Sequence, residues 1–154
     1  MIGKDVQKAA QLLRTGQVVA IPTETVYGLA ANALDPEAVA EIFAIKQRPS
    51  FDPLIIHLAS TGQIGRYVQA VPAVLQELAA QFMPGPLTLL LPRKAIIPDL
   101  VTAGSPLVAV RVPEHPLARR LLAALERSVR SLARPHRFVS RVPTTVRAAS
   151  RRTA

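Results

Sequence analysis

Apolar residues recur at helical spacing near the start of the chain. Val6, Ala9, Ala10 and Leu13 fall on one face, and Gly16 follows as a stop signal. Residues 17–21 (Gln-Val-Val-Ala-Ile) read as a buried strand that Pro22 ends, and residues 23–28 read as a loop. Asp35 is placed to cap a second helix with Pro36 at its first position, and Val39, Ile42 and Phe43 mark the buried face. The end of that helix delivers Lys46 and Arg48 just before Pro49. Further on, the pattern predicts a strand over 54–58, a helix over 72–82 and a chain break at Pro84-Gly85-Pro86. Strands over 87–91 and 107–112 and a helix over 115–125 follow. Strands alternate with helices, so the fold class is α/β. Some connections are too short for a helical crossover, which predicts a mixed sheet. Past about Arg127 the apolar periodicity fades and no element is assigned.

The 154 residues and their 49% hydrophobic content suit one packed domain. The absence of cysteine excludes a disulfide framework and a thiolate zinc site. No apolar run approaches the ~20 residues that a membrane-spanning helix needs. Lys4, Asp5, Gln7 and Lys8 stand where a signal peptide would need its apolar core. The expectation is a soluble, cytoplasmic protein with no membrane partner. The formal charge of +9 is uneven. Residues 121–154 hold eight arginines against the single acid Glu126, so seven of the nine net charges lie there. Such a tail is either a solvated segment or a surface for phosphate backbones, as in tRNA or double-stranded RNA.

Candidate chemistry is scattered. Pro22-Thr23-Glu24-Thr25-Val26-Tyr27-Gly28 follows a buried strand, the usual place for a binding site in α/β folds, although an ordinary polar turn has the same composition. Lys46-Gln47-Arg48-Pro49 sets two cations near a helix end, where they complement the helix dipole or clamp phosphate oxygens. His57 and Arg111 each interrupt an apolar strand. A guanidinium cannot be buried there without a partner, which is either a ligand carboxylate or a structural Asp or Glu. There is no phosphate loop, no G-x-G-x-x-G, no nucleophile elbow and no histidine cluster suggesting a metal site.

Taken together, five segments resemble the threonylcarbamoyl-AMP synthase (YrdC-like) family. They are Ile21 to Leu29, Ile45-Lys46-Gln47-Arg48-Pro49, Pro53-Leu54-Ile55-Ile56-His57, Pro84-Gly85-Pro86-Leu87-Thr88 and Val110-Arg111-Val112-Pro113. Their order and spacing fit throughout residues 4–125. The resemblance implies a twisted mixed sheet flanked by helices around a concave basic cavity. It implies an enzyme that uses ATP, L-threonine, bicarbonate and Mg2+ to make threonylcarbamoyl-AMP and pyrophosphate, for threonylcarbamoyladenosine in tRNA. By the same resemblance Thr25, His57 and Arg111 hold L-threonine, Lys46 and Arg48 grip the ATP phosphates and carry the catalysis, and Asp52 lies near the nucleotide. No protein metal ligand is implied.

The sequence departs from the family pattern at three places. Met83 replaces a common Trp, and Leu107 replaces a common hydroxyl residue. After about residue 127 the family's Pro-Ser-Ala-Asn segment gives way to an Arg- and Ser-rich stretch, with Arg134 and His136 at the Ser and Asn positions. Family domains also run several tens of residues further. The expected organisation is therefore an incomplete YrdC-like domain over 1–127 and a divergent Arg-rich tail over 128–154. The alternative function is a catalytically inactive YrdC-like domain that binds RNA.

Overall fold

A computed structural model describes residues 5–24, 27–47, 52–129 and 138–141. Helix α1 (Val6–Arg14) starts where Asp5 caps it, the carboxylate accepting from the Gln7 and Lys8 amides. Gly16 then turns the chain with φ +81°, a conformation that favours glycine. Strands β1 (Val19–Pro22) and β2 (Tyr27–Asn32) pair antiparallel. Helix α2 (Pro36–Lys46) has the expected Asp35 cap and Pro36 start, and ends on Gln47 in the left-handed region. Strand β3 (Leu54–His57), a 3-10 helix (Thr61–Arg66), α3 (Ala73–Phe82), β4 (Leu89–Pro92), α4 (Asp99–Thr102), β5 (Leu107–Arg111), α5 (Pro116–Val129) and β6 (Phe138–Arg141) follow.

Among the described residues six strands form one mixed sheet in the order β1-β2-β6-β3-β5-β4. Only β3 and β5 run parallel, with His57 beside Arg111 at their final register position. The remaining pairs are antiparallel. The main core takes Leu54, Ile56 and Leu58 from the β3 segment, Val108, Val110 and Val112 from the β5 segment, and Val39, Ile42 and Phe43 from α2. Strand alternation therefore sends Ile55, His57, Ala109 and Arg111 to the other face of the sheet. A smaller core joins Ala10 and Leu13 of α1, Ile21, Ala30 and Leu121, Leu122 and Leu125 of α5.

Three expectations change. Tyr27 and Gly28 are not loop but the start of β2, whose Leu29-Ala30-Ala31 run lacks the β-branched residues that advertise a strand. Ala30 and Ala31 are fully buried, one in each core, so their small size lets elements pack on both faces. The last helix runs past residue 125 to Val129. Strand β6, in a stretch assigned no element, lies between β2 and β3.

Candidate active site

The site grows from the ends of β3 and β5. His57 is completely buried, and Arg111 is 5% exposed. The backbone ladder continues one step beyond them, with the Leu58 amide donating to the Arg111 carbonyl at 2.9 Å. The Arg111 guanidinium makes two contacts of opposite origin. Its Nε donates to the Gly85 carbonyl at 3.1 Å, and its Nη2 donates to Glu24 Oε2 at 2.9 Å. Burial demands such partners, since an uncompensated guanidinium would forfeit its hydration. Of the two kinds of partner the sequence leaves open, the structure supplies the acid.

Glu24 lies in the connection between β1 and β2. Its second oxygen, Oε1, accepts from the Glu114 amide just after β5. One carboxylate thus ties the β1 exit to the segment following β5. The Pro84-Gly85-Pro86 break serves the same point, because the Gly85 amide also donates to the Val112 carbonyl at 2.8 Å. A side chain at Gly85 would put its Cβ 2.5 Å from the Phe82 carbonyl oxygen, so only glycine fits.

Electrostatics follow from these contacts. Burial and the neighbouring Arg111 charge push the His57 pKa down to about 4, against smaller opposing effects from the Ile55 carbonyl and Glu24. At neutral pH the imidazole is therefore uncharged. Burial works against ionisation of Glu24, but the Glu114 amide, its own amide, Arg111 and His57 together outweigh it and hold the carboxyl below its usual range. The assembled group is a carboxylate, a guanidinium and a neutral imidazole.

The other expected residues are placed as follows. Lys46 is the last residue of α2, and Asp52 lies just ahead of β3. Thr25 and Arg48 fall outside the described residues, as do Arg134 and His136. Met83 packs in the main core, 7% exposed, in keeping with a packing change. Leu107 opens β5, its amide held by the Ser105 hydroxyl at 3.1 Å. A separate cleft of about 50 Å3 between α1, β1 and α5, lined by Asp5 together with apolar residues such as Val6, Ala9, Ile21 and Leu121, includes none of the candidate residues. Glu24 was not singled out by sequence, although it stands inside the quoted Pro22-to-Gly28 segment. The demand of a buried Arg111 for an acid was the signal that could have found it.

Residues 11–150 match the profile of the Sua5/YciO/YrdC family, which carries the description telomere recombination. The chain belongs to this family. It is 47% identical to a threonylcarbamoyl-AMP synthase of Pyrococcus abyssi over 88% of its own length and 39% of the relative's. It is 45% identical to the threonylcarbamoyl-AMP synthase of Bacillus subtilis over 93% and 41% of the two lengths. The crystal structure of P. abyssi Sua5 complexed with L-threonine superposes with a TM-score of 0.80 at 42% identity, covering 91% of this chain and 39% of that one. The chain thus spans about two-fifths of these relatives, and its Sua5/YciO/YrdC fold agrees with the expected α/β class. Among the described residues no helix is long and apolar enough to cross a membrane.

Proposed function

We propose that the chain carries the amino-acid-binding part of an L-threonylcarbamoyladenylate synthase. The observation that carries this reading is the buried Arg111, held from two sides beside a neutral His57 at the ends of two parallel strands. This arrangement lies in a chain whose relatives bear the synthase name and whose structural neighbour was solved with L-threonine. A guanidinium is the natural partner of an amino-acid carboxylate. His57 stands beside Arg111 in register, where its neutral ring would help shape the place for the threonine ammonium or hydroxyl. Thr25 would complete the threonine contacts, and the concave basic cavity would lie over this face of the sheet.

In the proposed reaction the threonine amine combines with bicarbonate, releasing water and giving a carbamate. A carbamate oxygen attacks the α-phosphorus of ATP and pyrophosphate leaves. The protein's work is positioning and charge stabilisation by Lys46 and Arg48, with Asp52 near the nucleotide. No group of three or more acidic or histidine side chains suited to a metal is found among the described residues. Mg2+ would arrive on the nucleotide phosphates, which is its common mode in phosphoryl-transfer sites. The product would feed tRNA modification in the cytoplasm. The alternative, an inactive RNA-binding module, rests on arginines that lie largely outside the described residues, and the relatives' names favour the synthase.

The test is pyrophosphate release with ATP, Mg2+ and bicarbonate, with and without L-threonine. Threonine-dependent release, lowered at least tenfold in Lys46→Ala, supports the reading. Release that ignores L-threonine contradicts it.

A further inference from the structure

We infer that Glu24 is a positioning residue, a fixed counter-carboxylate that aims Arg111 at the ligand and remains in place when the ligand binds. The inference deepens the amino-acid reading given above and rests on it. Its ground is the way the guanidinium is held. Gly85 takes Nε from one side and Glu24 takes Nη2 from the other, so the plane of the group is set by two segments remote in sequence. Among the described residues the Nη1 amino group has no partner, and it is the end left to meet a carboxylate. Glu24 is itself pinned, because its other oxygen accepts from the Glu114 amide.

The competing arrangement is a Glu24 that occupies the arginine as a stand-in for the ligand and is expelled by it. That would undo two charge-assisted contacts and strand a side chain that is 18% exposed. Expulsion would give up both contacts of the Glu24 carboxylate, a cost that the binding of one small amino acid would have to meet. The fixed arrangement avoids this cost. It also neutralises Arg111 in the empty site, so that burying the guanidinium does not wait for the ligand.

Glu24→Gln tests the inference. It keeps the shape and an acceptor for the Glu114 amide but removes the charge. Calorimetry should show L-threonine binding weakened about tenfold, ATP binding unchanged within about twofold, and the carboxylate-free analogue L-threoninamide bound as by the parent. A general loss of structure would weaken all three ligands alike and overturn the inference. Tighter L-threonine binding in Glu24→Gln would show that Glu24 competes, and would also overturn it. The Arg111 Nη2–H resonance, the proton donated to Glu24, supplies a readout without ligand: slow to exchange in the parent, faster in Glu24→Gln. A parent that binds no L-threonine overturns the amino-acid reading, and the Nη2–H resonance still decides whether Glu24 holds the guanidinium. Equal exchange in parent and variant shows that it does not.

Discussion

At the scale of single residues, the site is set by how burial is compensated. Arg111 is buried because an acid and a carbonyl meet it, and His57 is buried because it gives up its charge. The second fact has a pH consequence. The folded-state pKa of about 4 lies below the ordinary value of 6.5, so the unfolded chain binds more protons between those values. The stability contributed by neutral His57 is full above about pH 6.5 and is lost as pH falls toward 4, by roughly 3 kcal/mol at most. Denaturant unfolding of the parent and His57→Gln at several pH values should show curves that converge as pH falls through this window. Parallel curves would mean that His57 is not buried neutral. This residue-scale chemistry was only half legible in the sequence. An arginine and a histidine inside apolar strands announced themselves, whereas the acid that answers Arg111 lies 87 positions away, and only the fold brings it there.

At the scale of elements, capping and punctuation carried most of the information. Asp35 followed by Pro36 marked the start of α2, and the Pro84-Gly85-Pro86 break stands where sequence put it. Strand β2 escaped because its middle is alanine, which has weak strand preference and is placed by packing on both faces. The break at Gly85 also serves the site, as its carbonyl holds Arg111 while its Cα faces the Phe82 carbonyl without room for a methyl group. Gly85→Ala must shift backbone. The expected result is a loss of about 1–3 kcal/mol in thermal unfolding together with weaker L-threonine binding. Unchanged values for both would contradict the role assigned to this turn.

At the scale of the whole molecule, the sheet is closed by a strand that the sequence pattern did not announce. Within an Arg- and Ser-rich stretch β6 reads Phe-Val-Ser-Arg, with no apolar–polar alternation to mark a strand, and its position between β2 and β3 depends on pairing with both. Ending the chain after Val129 removes β6 and leaves two facing strand edges unpaired. The expected outcome is loss of cooperative thermal unfolding and a tendency to self-associate. A truncated chain that melts as sharply as the parent would mean that β2 and β3 do not need β6. The family, by contrast, was legible from five short segments spread along the chain, and the match over residues 11–150 agrees with it.

The central claim is that the face carrying His57 and Arg111 binds L-threonine through its carboxylate. The most direct measurement is a calorimetric titration of L-threonine into the parent and into Arg111→Ala, with circular dichroism of both to verify folding. Saturable binding by the parent, weakened at least tenfold in a folded Arg111→Ala, is the predicted result. Equal binding by the two proteins, or none by a folded parent, would contradict the account.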